Sequence, residues 1–214
     1  CCLSLAGASY QSVFLNPMAA PDILGASSGA CFGAALAILL GLSRGSVTAL
    51  AFAASMLTIA LVYAVSSRTK GGRTVSILLS GVMISSFFSA GTSYIKLVAD
   101  PADQLPEITY WMMGSLSGAR GSEVAFALIP MVLGALPLLL LRWRINLLTL
   151  GEEEASSLGV NTGRLRMIVV LCATLLTAAS VSVSGMIGWV GLVIPHLSRK
   201  LVGNDTESDR KSVV

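Results

Sequence analysis

The side chains that could carry catalysis or bind a metal ion show no spacing typical of an active site or a metal site in this sequence. The single histidine, His196, follows a proline. A residue packed at a helix end is favoured over a metal ligand there, because metal sites need several converging donors. No P-loop motif for binding phosphate is present. We therefore expect no catalytic residue, no cofactor and no bound metal. The four cysteines lie in apolar stretches without metal-ligand spacing; they are Cys1, Cys2, Cys31 and Cys172.

The composition is that of a membrane protein. Of the 214 residues, 54% are hydrophobic and only 12% are charged, and the mean hydropathy is +0.80. Soluble domains carry about 25% charged residues, and only hydrocarbon absorbs so much apolar surface. We therefore predict an all-α, polytopic membrane helical bundle in contact with lipid. The net charge of +3 is too small, and Lys and Arg are too dispersed, for a nucleic-acid partner.

Seven apolar stretches are candidates for crossing the bilayer, which takes about 20 residues. The first is interpreted as the end of a helix. The last two come from dividing Met167–Ser198, whose 32 uncharged residues would measure about 48 Å as one helix. We place the division at Gly185, because glycine adopts the backbone conformations of a turn at little cost in conformational energy. The stretches are Cys1–Phe14, Ile23–Leu42, Val47–Val65, Thr74–Ile95, Val124–Leu141, Met167–Ser184 and Ile187–Ser198.

The distribution of Lys and Arg among the loops predicts the orientation. Alternate loops hold nine of these residues and the opposite loops hold three, so the loops with nine are assigned to the cytoplasm. The division at Gly185 is needed here too, since the last two cations would otherwise lie outside. The nine are Arg68, Lys70, Arg73, Arg142, Arg144, Arg164, Arg166, Arg199 and Lys200; the three are Arg44, Lys96 and Arg120.

Small residues recur at four-residue spacing in the second stretch. Such a strip lets another helix approach closely, which matters in lipid because apolar side chains there gain nothing by burial alone. Chance in a Gly- and Ala-rich chain is the alternative. The strip consists of Gly25, Gly29, Gly33, Ala37 and Gly41.

The loop between the fifth and sixth stretches carries a short helix signal. Thr149 and Glu152 have capping-box spacing, and Gly159 suits the position just after a helix. The helix would have about two turns and lie on the cytoplasmic surface, either as an ordinary solvated helix or as a docking element for a cytoplasmic partner. Its acidic start is Glu152, Glu153 and Glu154, and its small apolar face is Leu150, Ala155 and Leu158.

Two further features concern the outside and the membrane interior. Residues 103–118 contain Tyr110 and Trp111, which favour the membrane boundary, so we predict a short helix over the outer mouth or a plain anchor. No Asp, Glu, Lys or Arg lies in the middle of a stretch. Ion-coupled carriers usually need such a charge, and this argues against that class.

Four segments, in order, resemble the FecCD family of ABC importer permeases. The first begins with Asn16 and Pro17 and continues to Ala30. The second is Tyr110–Leu116, and the third is Leu150–Val160, which includes Gly151. The fourth is Gly185–His196, with Gly188, Gly191, Pro195 and His196 at family motif positions.

The resemblance implies a permease subunit that imports an iron–siderophore, haem or cobalamin across the bacterial inner membrane. Its partners would be an ABC ATPase subunit, a second permease subunit, identical or paralogous, and a periplasmic substrate-binding protein. Leu150–Gly159 would be the coupling helix on the ATPase, and Cys1–Phe14 would line the translocation path. ATP hydrolysis would lie on the separate ATPase subunit.

The family's subunits have ten helices, so the resemblance also implies a chain that is truncated at both ends and holds about seven of them. Residues 1–205 would form the partial permease domain. Residues 206–214 match nothing in the family pattern, and we expect this tail to be non-native. A secondary transporter of a small solute is the alternative function, and a membrane anchor or sensor is a third.

Overall fold

The chain folds into α-helices throughout the part that the structure, a computed structural model, describes. That part comprises residues 1–16, 18–68, 73–116, 121–149 and 152–202, without the side chains of 21, 73, 74, 122, 152, 153 and 199–202. The helices are α1 (Cys2–Phe14), α2 (Ala26–Leu39), α3 (Arg44–Ser66), α4 (Arg73–Val98), α5 (Gln104–Met113), α6 (Gly121–Leu140), α7 (Arg142–Leu148), α8 (Glu152–Ser157), α9 (Thr162–Ser184) and α10 (Val190–Val202).

Four of the predicted stretches form helices that are long and apolar enough to cross a bilayer. They are Arg44–Ser66, Val75–Val98, Glu123–Leu140 and Thr162–Ser184. The other three form α1, α2 and α10, which have 13, 14 and 13 residues. The second stretch is shorter than predicted because Pro21–Leu24 forms a 3-10 turn and Gly41, at φ +65°, lies beyond the helix end.

The predicted break in the last apolar stretch is confirmed. Helix α9 ends at Ser184, and Gly185 has a φ of +71°. Residues 185–189 have no helical structure, and α10 begins at Val190, three residues later than predicted. A left-handed backbone conformation is disfavoured for residues with a Cβ atom, so the glycine at this point lets the chain turn.

The chain divides into two compact units. Unit 2 comprises Asp22–Ile129 and Ala178–Gly188. Within it, α2 packs against both α3 and α4. A Cβ atom on Gly33 would lie 2.7 Å from the Cβ of Ala54, and one on Gly29 would lie 2.9 Å from the Ala54 carbonyl oxygen. Gly29 and Gly33 of the predicted strip therefore face α3, where only glycine lets the two backbones come so close.

Unit 1 comprises Cys1–Pro21, Pro130–Thr177 and Trp189–Val214. Helix α1 packs against α7 and α10, and its residues from Ser4 to Phe14 are all buried. The hydroxyls of Tyr10 and Thr174 form a hydrogen bond of 2.6 Å, and Thr174 also donates to the Val170 carbonyl. Helix α1 therefore has no exposed face from Ser4 to Phe14 in this chain, and the expected role of Cys1–Phe14 in lining a translocation path stays a prediction.

Candidate functional site

The segment predicted to couple to an ATPase forms a short helix held to unit 1 by buried side chains. Helix α8, Glu152–Ser157, contacts α7, and Ala155 is fully buried. Helix α7 is fixed in turn by Ile145 and Leu148, which are 0% and 3% exposed. These two residues are three apart and share one helix face. That spacing was available in the sequence, although no helix was predicted there.

Helix α8 ends in a Schellman turn at Gly159, the residue predicted to follow it. Gly159 has a φ of +79°. The Val160 N–H donates to the Ala155 carbonyl at 3.1 Å, and the Gly159 N–H donates to the Ser156 carbonyl at 2.9 Å. These are the two hydrogen bonds of this motif. The turn satisfies carbonyls that the end of the helix would otherwise leave without donors.

The predicted capping box of Thr149 and Glu152 falls on residues that the structure describes only in part. Thr149 is the C-cap of α7, and its hydroxyl donates to the Asn146 carbonyl at 2.6 Å. Leu150, Gly151 and the side chain of Glu152 lie outside the described residues, so the capping box stays a prediction.

The predicted apolar face of the segment is divided. Ala155 points into the unit, whereas Leu158 is 60% exposed and Glu154 is exposed. The helix ends at Ser157, and the turn at Gly159 carries Leu158 away from the line of Ala155. Leu150 and Gly151 lie outside the described residues, as do the side chains of Glu152 and Glu153.

The outer helix α5, Gln104–Met113, confirms the helix predicted within 103–118. Its end is joined to the end of α9 within unit 2. The Ser115 N–H donates to the Ser184 carbonyl at 2.7 Å, and a Cβ on Gly114 would lie 2.7 Å from the Met186 carbonyl oxygen. A Cβ on Gly185 would overlap the Trp111 carbonyl oxygen. No local pattern predicts this junction, since its two sides lie about 70 residues apart in the chain.

Beside this junction, unit 2 holds a cavity of about 260 Å³. It lies on the side that the Lys and Arg distribution assigns to the outside. Its lining combines charges of both signs with two aromatic rings, a mixture suited to a polar partner. The residues that characterise it are Arg44, Glu107, Tyr110, Trp111, Glu123 and Ser184.

The predicted family-motif residues have different surroundings in the structure. Asn16 is exposed, and its side-chain oxygen accepts a hydrogen bond from the Met18 N–H at 2.9 Å in the turn after α1. Pro17 lies outside the described residues. The Gly191 carbonyl abuts Gly7 of α1, where no Cβ would fit, whereas Gly188 has open space around it.

His196 does not pack as predicted. Its side chain is exposed, and it lies in the middle of α10, whereas the neighbouring Pro195 is buried. The prediction assumed that α10 ends near this residue, but the helix continues to Val202. Within the described part of the chain, no three His, Cys, Asp or Glu side chains converge as metal ligands.

Comparisons with known proteins point to one family. The model of the FecCD transport family matches residues 1–209. The molybdate import system permease protein of Haemophilus influenzae is 39% identical over 206 residues, which are 96% of this chain and 61% of that protein. A protein of Helicobacter pylori, named a probable iron chelatin transport system permease protein, is 42% identical over 201 residues, which are 94% of this chain and 60% of that protein.

A solved structure, described as an inward-facing conformation of a metal-chelate type ABC transporter, has the same fold. It superimposes with a TM-score of 0.91 at 39% sequence identity, over 97% of this chain and 66% of that one. The chain thus spans about 60% of the length of the curated relatives it matches.

Proposed function

The chain belongs to the FecCD transport family, and we propose that it is the membrane-spanning permease subunit of an ATP-driven importer. The observation that carries this proposal is the family match over residues 1–209. The four helices that are long and apolar enough to cross a bilayer support a multi-pass membrane location, which we place in the bacterial inner membrane. In this role the chain forms a path and catalyses nothing, while a separate ABC ATPase subunit hydrolyses ATP.

The proposed contact with the ATPase is Leu150–Gly159. Glu154 and Leu158 are exposed there, so both a charge and an apolar side chain are available to a partner. The buried Ala155 ties α8 to α7, and α7 packs against α1. A push on the exposed side of α8 would therefore reach the buried helix α1 through packed side chains, which transmit strain because protein interiors are dense.

The other proposed partners are a periplasmic substrate-binding protein and a second permease subunit. We assign the binding protein to the outer side of α5 and the segment after it, where Tyr110 is 74% exposed and Leu116 is 72% exposed. Glu107, three residues before Tyr110 on α5, is exposed and adds a negative charge. Aromatic side chains are enriched at protein interfaces, and the rim of an interface is polar.

A reciprocal experiment tests both assignments. The permease, expressed from its source gene, is purified with its ATPase and binding protein, and their retention is measured. The inner variant is Glu154→Lys with Leu158→Asp. The outer variant, Glu107→Lys with Leu116→Asp, is its matched control. We expect the inner variant to lose the ATPase and keep the binding protein, and the outer variant to do the opposite.

Retention of the ATPase by the inner variant, with unchanged ATP hydrolysis, would contradict the coupling assignment. If both variants lose both partners, the changes have unfolded the permease. Gel filtration in detergent separates that outcome from a lost contact, because an unfolded membrane protein aggregates.

The proposed substrate is an iron–siderophore complex, with haem and cobalamin as related chelates. The relative named for iron chelatin and the metal-chelate type transporter support this choice, whereas the relative named for molybdate provides the competing candidate. Uptake of radiolabelled iron–siderophore, cobalamin and molybdate should be compared in cells that carry this importer as their sole route. Accumulation of molybdate alone would overturn the assignment and leave the permease role intact.

A further inference from the structure

A second cavity, of about 500 Å³, lies within unit 1 between α7 and the start of α9. We call it the inner cleft. Leu147, Leu158 and Ile168 form apolar parts of its wall, and Arg144 and Arg164 supply two positive charges. The Lys and Arg distribution assigns this side to the cytoplasm.

The two arginines of the inner cleft are available to a ligand. Both side chains are exposed. Among the described residues, no acidic side chain lines the cleft, and Glu154 of nearby α8 is not part of its wall. The side-chain oxygen of Asn161 accepts a hydrogen bond from the Arg164 backbone N–H at 3.0 Å, which fixes the first turn of α9 and leaves the guanidinium free to turn into the cleft.

The inner cleft opens beside an apolar surface of the kind that faces lipid. Trp143, which lines it, is 68% exposed, and tryptophan favours the membrane boundary. Ile168 in its wall is 40% exposed, and Leu171, one turn further along α9, is 41% exposed. Leu140, next to the cleft at the end of α6, is 74% exposed. Charge at the mouth and exposed apolar side chains beyond it match a headgroup and its acyl chains.

We propose that the inner cleft binds an anionic phospholipid of the cytoplasmic leaflet. The lipid phosphate lies between the guanidinium groups of Arg144 and Arg164, because basic pockets between membrane helices attract anionic headgroups. The acyl chains run along Ile168 and Leu171. A free phosphate ion would leave this apolar wall uncovered, and so would a polar loop of a protein partner. The inference does not depend on the proposed transport function.

Native mass spectrometry of the purified permease complex tests the proposal. Phosphatidylglycerol and phosphatidylcholine with the same acyl chains are titrated in detergent, and bound lipid is counted. We expect phosphatidylglycerol to bind preferentially. The double variant Arg144→Gln with Arg164→Gln should weaken the binding of phosphatidylglycerol roughly 30-fold, because each arginine near an anionic headgroup contributes about the same favourable free energy as at an anionic membrane surface. The pair Arg144→Lys with Arg164→Lys keeps the charge and should retain the preference.

The matched control is Arg44→Gln with Arg68→Gln, which removes two exposed arginines elsewhere in the chain and should bind phosphatidylglycerol like the wild type. Equal binding of the two lipids by the wild type would overturn the proposal, and so would equal loss in the control. Displacement of the lipid by millimolar inorganic phosphate would assign the cleft to free phosphate. Loss of the ATPase from the Gln pair, with lipid binding unchanged, would assign the cleft to a protein partner.

Discussion

Helices α5 and α8 are both too short to cross a bilayer, and both end at a glycine with positive φ, yet the surroundings of these glycines differ. At the end of α5, the backbones of Gly114, Met186 and Gly185 lie in direct contact, and no Cβ would fit at either glycine. At the end of α8, no atom of the described residues lies within 4 Å of the Cβ position of Gly159. The end of α5 is thus fixed by close backbone contacts to the end of α9, whereas the end of α8 meets no such contact among the described residues.

Among substitutions of these glycines, we expect the largest loss of stability at the junction between the ends of α5 and α9. Gly185→Ala would place a Cβ against the Trp111 carbonyl oxygen at a residue whose φ is +71°. The left-handed conformation costs about 1–2 kcal/mol, and the overlap adds about 1–3 kcal/mol. We expect a loss of roughly 2–5 kcal/mol of unfolding free energy, measured by denaturant unfolding in detergent. A loss below about 1 kcal/mol would mean that the junction is loosely packed.

An intermediate effect is expected where a glycine has normal helical φ but a close neighbour. Gly33→Ala would bring a Cβ within 2.7 Å of Ala54 on α3, which we expect to cost about 1–3 kcal/mol by overpacking. Gly45→Ala is the matched control, because nothing lies within 4 Å of its Cβ position. Its effect should stay within about 0.5 kcal/mol. Equal effects of the two substitutions on the unfolding midpoint would contradict the close packing of α2 on α3.

The smallest effect is expected at the open end of α8. Gly159→Ala meets no neighbour in the part of the chain that the structure describes, so we expect only the left-handed conformation to oppose it, at about 1 kcal/mol. Gly159→Asn should cost less, since asparagine tolerates this region. Both variants should unfold as cooperatively as the wild type. A loss at Gly159 as large as that at Gly185 would show that the two turns are equally constrained.

Much of the helical architecture could be predicted because its signals are local. Charge-free stretches of about 20 residues predicted α3, α4, α6 and α9, and one glycine predicted the break before α10. The Schellman turn at Gly159 also depends only on neighbouring residues. Helix α7 was missed, although Ile145 and Leu148 have helical spacing, because Arg142 and Arg144 suggested a polar loop.

The predictions about the candidate site were less accurate, because they depended on which residues meet. Thr149 is the C-cap of α7, a helix that was not predicted, and Leu158 is exposed whereas Ala155 is buried. Helix α1 has no exposed face from Ser4 to Phe14 in this chain, and the expected role of Cys1–Phe14 in lining a path stays a prediction. Each outcome depends on where a neighbouring helix ends or packs, which the residues of the segment alone do not reveal.

The sequence by itself determined that this protein belongs in a membrane, where its helices lie and where the chain must turn. The membrane location, the helix positions and the turns follow from hydropathy, charge and the positions of glycines, which are properties of short segments of the chain. Only the tertiary structure decided that α1 is buried, that α5 is joined to the end of α9, and that Arg144 and Arg164 share one cleft. Such contacts join residues far apart in the chain. They depend on how whole helices pack against each other, which no local sequence pattern specifies.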